Sequence, residues 1–448
     1  MKTTLSLLLI ATVTTAVAET PQTALLKKRS AEFRKDVVKV ADGVYTAVGY
    51  SPANISMIVG DTGLIIVDTG MTPAHAKPAL AEFRKLSNLP VKAIIYTHSH
   101  GDHTGGTSVF VGDGHPDIWA RANFGSENRA FSSAGLTIQR LRGARQGGFK
   151  LPPAQRINNG VAPAMYPARG GEVFAGGSGL VAPTKTFSEA RKSIEVAGVK
   201  IELVADPGET EDALYVWLPE KKVLFSGDNF YKSWPNLYAI RGTPYRDIRS
   251  WADADDMMLK EGAACLVPGH TRPIIGKAAV AEALADYRDA IRFVFDKTIE
   301  GMNQGMTPDE LVGYVKLPAR LADKDDLREY YGNVQWAVRA IFDGYLGWFD
   351  GNPSHLFPLA PKAEAQRIAK LAGGDAALLD QARQALKSGD AQWAAQLCDY
   401  LLALDPSARA PKLIKAGALT ALADHLLTAT GRNYYLTCAQ ELRKGGDK

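Results

Sequence analysis

The chain has 448 residues, of which 46% are hydrophobic and 22% charged, with a formal net charge of +4. That length exceeds one ordinary domain, and the balance is that of a globular protein rather than a disordered or fibrous one. The small charge, with no basic block, gives no argument for nucleic acid as a partner.

Lys2, the apolar stretch Leu5 to Val13 and the small residues Ala16-Val17-Ala18 have the layout of an export leader covering residues 1–18. Cleavage after Ala18 would leave Glu19 first. No later segment reaches the ~18 apolar residues of a membrane span. A periplasmic or secreted protein is expected. Cys265, Cys398 and Cys438 make an odd count for an oxidising compartment. Cys398 and Cys438 would meet if the last helices fold back; otherwise all three stay as separate buried thiols.

Residues 37–68 alternate short apolar runs with turn signals, which predicts antiparallel strands at Val37–Val40, Val44–Val48, Ser56–Val59 and Leu64–Val67. A helix is expected over Pro73 to Leu86, then a buried strand over Val91 to Tyr96. Residues 143–185, rich in Gly, Pro and Ala, predict a long loop. Strands return at Ser193–Val196, Val199–Val204, Leu214–Leu218 and Val223–Phe225, with a hairpin turn at Ala197-Gly198. A helix near Trp251–Lys260 leads to a strand at Cys265–Pro268. From about Lys277 the pattern is helical: 277–299, 307–315, 324–345, 361–371, 375–388, 390–403 and 408–426. A domain boundary is placed near 276 and a softer one near 360.

Chemistry concentrates in Thr97-His98-Ser99-His100-Gly101-Asp102-His103-Thr104-Gly105-Gly106, where three histidines and an aspartate fall within six positions on the loop leaving a buried strand. Imidazole and carboxylate are ligands of zinc and similar divalent ions. The spacing separates His98 and His100, aimed at one ion, from Asp102 and His103, aimed at a neighbour. Two ions ~3.5–4 Å apart can hold a bridging hydroxide and clamp an oxyanion. Two later strand ends supply partners. Leu224-Phe225-Ser226-Gly227-Asp228 delivers a carboxylate suited to bridging, and Val267-Pro268-Gly269-His270 delivers a histidine. The turn Asp206-Pro207-Gly208-Glu209-Thr210-Glu211-Asp212 stands in the right order for the first ion's third ligand; Glu209, next to Pro-Gly, is favoured over Glu211 and Asp212. Asp68, in Val-Asp-Thr-Gly, suits accepting the outer N–H of a metal-bound imidazole.

These residues, in this order, resemble the metallo-β-lactamase superfamily. The resemblance implies an α/β fold, an αββα sandwich holding two metals, usually zinc, at one edge. Relatives usually carry histidine where this chain has Glu209, which excludes the common β-lactamase ligand set. Asn236-Leu237-Tyr238-Ala239-Ile240-Arg241-Gly242, Tyr330-Tyr331-Gly332, the run Tyr345 to Pro353 and the run Arg432 to Arg443 look like the metal-dependent alkyl sulfatases. That likeness covers about 37–443. It implies a catalytic domain at 30–276 and an all-α dimerisation domain at 277–443, hence a homodimer. A further lipid-transfer-like domain is usual in the family; with Lys448 as the last residue, that domain is expected to be missing here. Asn236 and Arg241 match residues that hold the sulfate, and an arginine fork suits an oxyanion. The family histidine at the position of Trp336, implicated near the sulfate, is replaced.

The reading is a hydrolase with two zinc ions per chain. His98, His100 and Glu209 would hold one ion and Asp102, His103 and His270 the other, with Asp228 bridging. Asp102 and Asp228 carry the catalytic centre. Tyr238, Tyr331 and Trp336 are expected to line the substrate mouth. The substrate is expected to be an alkyl sulfate ester. The alternatives are an aryl sulfate, phosphoester, lactone or β-lactam on the same scaffold, or a non-catalytic exported metal-binding protein.

Overall fold

The computed structural model describes residues 19–164 and 179–445. The expected leader and the middle of the expected loop at 143–185 lie outside those residues.

Short apolar runs between turn residues become strands, and those at 64–67, 214–218, 223–227 and 265–268 are buried on both faces. β1 (Asp36–Ala41), β2 (Val44–Val48), β3 (Ile55–Val59) and β4 (Leu64–Val67) form the expected antiparallel meander. β5 (Val91–Ile95), β6 (Asp117–Arg121) and β7 (Lys185–Phe187) then add in parallel, completing a seven-stranded sheet in chain order. The second sheet holds β8 (Arg191–Val196), β9 (Val199–Ala205), β10 (Leu214–Leu218), β11 (Val223–Gly227), β12 (Cys265–Pro268) and β13 (Ile274–Ile275). There only β11 and β12 run parallel. The β8–β9 hairpin turns at Ala197 and Gly198, both at positive φ, the geometry of a type I′ turn.

Alternation assigns each strand's side chains to two cores. Leu214, Val216 and Leu218 meet Ile65, Val67, Ala93 and Ile95 between the sheets. Ile94, Tyr96 and Ile66 face outward under Ala76, Ala79 and Phe83 of the helix Pro73–Leu86. Thr72 caps that helix, its Oγ1 accepting from the His75 N–H, and Pro73 opens it. Tyr215, Trp217 and Leu266 face the opposite side, under the helices Ile248–Lys260 and Lys277–Asn303. The result is the expected four-layer αββα sandwich followed by helices. β4 and β5 are parallel, as are β11 and β12, so four carboxyl ends open at one edge. There the Leu214 N–H donates to the Thr97 carbonyl at 2.8 Å and the Asn54 N–H to the Gly269 carbonyl at 2.7 Å, lacing the sheets together.

The element boundary falls at 276, between β13 and the helix Lys277–Asn303, yet the packing does not break there. One hydrophobic core joins Tyr215, Trp217 and Leu266 to Leu284, Ile291, Val338 and Ile341. The helix expected over 324–345 starts only at Val334. Gly332 lies against the Pro235 backbone, where a Cβ would come within 1.9 Å of the carbonyl oxygen; Asn333 then caps the helix. The chain also joins the fold before residue 30: the helix Pro21–Arg29 buries Leu26 against Tyr330 and Ala429. All three cysteines are free thiols. No helix among the described residues is long and apolar enough to cross a membrane.

Candidate metal centre

The laced edge gathers the histidine loop after β5, the turn between β9 and β10, and the ends of β11 and β12. His98, His100, Glu209 and Asp228 offer ligand atoms within 4.8 Å of one another, as do Asp102, His103 and His270. Those are the two groups that the spacing separates. His98 Nε2 and His100 Nδ1 lie 3.7 and 3.5 Å from Glu209 Oε2. Asp228 reaches the second group as well, with Oδ1 3.2 Å from His103 Nε2 and Oδ2 3.1 Å from His270 Nε2. Asp102 Oδ2 is 3.5 Å from His270 Nε2 and 3.9 Å from His103 Nε2.

Ligand atoms about 2.0–2.1 Å from a tetrahedral ion stand about 3.3–3.4 Å apart, so these separations fit one ion per group. The polar atoms at the centre fit too: His98 Nε2, His103 Nε2, Glu209 Oε2 and Asp228 Oδ1 are buried with no hydrogen-bond partner among the described residues. Four orphaned acceptors converging in one place are costly unless a cation satisfies them.

The outer atoms fix the imidazoles. His103 Nδ1 donates to Asp68 Oδ2 at 2.7 Å, and Asp68 also accepts from the Thr97 N–H and Oγ1. Asp68 thus takes the position the sequence suggests. His98 Nδ1 is 3.1 Å from Thr97 Oγ1, and His270 Nδ1 donates to the Pro52 carbonyl at 2.8 Å. With Nδ1 occupied in all three, the Nε2 lone pairs face the centre. Gly269 is required there, since a Cβ would lie 2.1 Å from Asp228 Oδ1.

Without ions the centre is electrostatically divided. Burial and the neighbouring imidazoles push His98 well below its usual range. Burial would lower His100 also, but Glu127 and Glu209 outweigh it and raise that imidazole to about 9. Burial likewise opposes ionisation of Asp228, yet His270 and His103 hold its carboxyl well below the usual range.

The turn 206–212 resolves among its carboxylates. Glu209 faces the histidines. Asp212 instead accepts from the Gly125 N–H at 2.8 Å and from Thr210 Oγ1 at 2.6 Å, and Glu211 is exposed. A cleft of about 620 Å³ opens over the centre, with Asp102, Arg241 and Tyr331 in its walls. Asn236 is buried on the turn leading to Arg241. Neither Tyr238 nor Trp336 lines this cleft. Trp336 stands one layer behind, its ring beside Gly431, the neighbour of the cleft residue Thr430.

Two residues escape sequence reasoning. Glu127, on the helix Ser126–Ser133, pairs with Arg241 at 3.3 Å and lies 3.6 Å from His100 Nε2. Burial resists its ionisation, but His100 and Arg241 bring it down to about 2. Arg246 pairs with Glu209 at 2.7 Å. Charge balance was the available signal, since a buried carboxylate calls for a cation beside it.

The Metallo-beta-lactamase superfamily model matches residues 48–270 and the Alkyl sulfatase dimerisation model residues 307–445. A linear primary-alkylsulfatase of a Pseudomonas species is 37% identical over 86% of this chain and 73% of its own. An alkyl/aryl-sulfatase of Saccharomyces cerevisiae is 31% identical over 96% of this chain and 67% of its own. The solved stereoselective inverting sec-alkylsulfatase of a Pseudomonas species superposes with a TM-score of 0.85 at 32% identity, covering 92% of this chain; the chain spans 66% of that enzyme's length. The chain belongs to the alkyl sulfatases, hydrolases of the metallo-β-lactamase superfamily.

Proposed function

We propose that the chain hydrolyses alkyl sulfate esters to an alcohol and sulfate at a centre of two zinc ions. The observation that carries this is the pair of ligand groups sharing Asp228 at the foot of a cleft that Arg241 also enters. His98, His100 and Glu209 would hold one ion, Asp102, His103 and His270 the other, and Asp228 both. Bound there, such ions lower the pKa of water and offset charge developing on an oxyanion.

The chain's own groups do the rest. Arg241, braced by Glu127, would present its guanidinium to the sulfate oxygens, and Asn236, buried on the same turn and outside the cleft wall, would support that turn. Asp68 keeps the His103 proton on Nδ1. Burial pushes the Tyr331 hydroxyl above its usual range, so it stays protonated as a donor in the cleft wall. The relatives named as alkylsulfatases support the substrate class. The match to a dimerisation region, with Trp348 and Phe357 exposed there, supports a homodimer. The layout of residues 1–18 supports export.

The test is sulfate release from sodium dodecyl sulfate, a short secondary alkyl sulfate and an aryl sulfate, before and after chelation and zinc restoration. Chelator-sensitive release from the alkyl esters is expected. A protein that holds two ions and releases no sulfate from them would refute the substrate.

A further inference from the structure

Glu209 is shared between two cations' positions. Its Oε2 faces His98 and His100, while its Oε1 accepts from Arg246 Nη1 at 2.7 Å. The same Nη1 donates to the Asn236 carbonyl at 2.6 Å. The Arg246 and Glu209 side chains are 3% and 4% exposed, so little water screens the pair. Arg246 Nε and Nη2 are buried with no hydrogen-bond partner among the described residues. Glu209 and Asn236 are thus the contacts that anchor this guanidinium. One donor nitrogen therefore joins a ligand of the first ion to the turn that presents Asn236 and Arg241.

We propose that Arg246 is the positioning residue that makes a carboxylate usable as a ligand of the first ion; this rests on the two-ion reading of the centre. A buried carboxylate without a counter-charge is strongly disfavoured. Arg246 supplies that charge and occupies Oε1, leaving Oε2 as the single oxygen turned to the histidines. An imidazole ligand is neutral and needs no such partner. The need for Arg246 should therefore vanish if residue 209 becomes histidine. Arg246 would then itself be the uncompensated buried charge. Arg246 and Glu209 are coupled in this account, so their substitutions are non-additive.

The test is metal content and affinity in the full chain, by elemental analysis and competition with a chromophoric chelator, with circular dichroism to check folding. The variants are Arg246→Met, Arg246→Lys, Glu209→His and Glu209→His with Arg246→Met. Arg246→Met is expected to keep the second ion and to bind the first about 10- to 100-fold more weakly. Arg246→Lys keeps the charge without the fork and should fall between. Glu209→His alone should lose the first ion, and the double variant should regain it. A merely structural arginine would not be rescued by a change of ligand. The proposal is overturned if Arg246→Met binds both ions as tightly as the parent. It is also overturned if the double variant's loss equals the two single losses combined. If Arg246→Met fails to fold, Arg246→Lys against the double variant decides the matter. A parent protein that cannot be loaded with two ions refutes the two-ion reading itself, a separate outcome.

Discussion

Asp68→Asn probes how the ions are held. Asp68 accepts three hydrogen bonds: from the Thr97 N–H at 2.9 Å, Thr97 Oγ1 at 2.8 Å and His103 Nδ1 at 2.7 Å. In asparagine the oxygen keeps the first, but the amide nitrogen can accept neither of the others. His103 can recover one contact by moving its proton from Nδ1 to Nε2, where it would face Asp228 Oδ1 at 3.2 Å. That tautomer suits the metal-free protein and cannot ligate. The expected loss is therefore modest in the metal-free fold, about 1.5–3 kcal/mol for a bond to a charged acceptor. The second ion should suffer about 10- to 100-fold in affinity, or about 1.4–2.7 kcal/mol. Asp68 sits at φ +55°, a region asparagine also tolerates, so backbone strain does not confound the result. Chelator competition measures the affinity and urea unfolding of the metal-free protein measures the fold. An Asp68→Asn protein that holds its second ion as tightly as the parent would refute the claim that Asp68 sets the His103 tautomer.

Glu209→Gln should bind one ion, whereas Asp212→Asn, whose carboxylate serves the Gly125 N–H, should bind two; equal metal content in both would undo the choice of Glu209. Arg241→Lys should keep both ions while kcat/KM on an alkyl sulfate falls about 10- to 100-fold for loss of the planar fork; an unchanged rate would remove Arg241 from the oxyanion grip. Burial raises the Asp206 carboxyl to about 7. An acid raised in the fold above its unfolded value near 3.9 contributes stability at low pH that is lost as pH rises through about 7. Asp206→Asn keeps an acceptor for Asn229 Nδ2 and abolishes that loss. Its unfolding free energy should match the parent's near pH 4 and exceed it above pH 7, by about 4 kcal/mol at most. Parallel pH curves for the two proteins would rule this out.

The sequence is most legible where one signal suffices. The helix Pro73–Leu86 and the strands at 44–48, 64–67, 214–218 and 265–268 have the bounds their apolar runs predict, because caps and turns confine them. The ligands are legible because they stand at strand ends in linear motifs. Other elements carry no such stripe. The helix Ala429–Arg443 buries Thr430, Arg432, Asn433 and Thr437, so its inward face looks polar. β6, written Asp-Ile-Trp-Ala-Arg, is too charged at its ends to stand out. The helix Ser126–Ser133 buries nothing fully, so Glu127 passes for a surface charge. Arg246 acquires meaning only when the turn carrying it closes over Glu209, 37 residues earlier in the chain.

The ligands come from both sheets. His98, His100, Asp102 and His103 hang from the first; Glu209, Asp228 and His270 hang from the second. Ions seated there would act as rivets through the seam of the sandwich, and unseating one would require the two halves to part slightly. Occupancy then contributes to the endurance of the whole molecule, about 4 kcal/mol when free metal stands a thousandfold above its dissociation constant. Scarcity of metal would thus silence the enzyme and also shorten its life, since a protein without its rivets spends more time open to proteases.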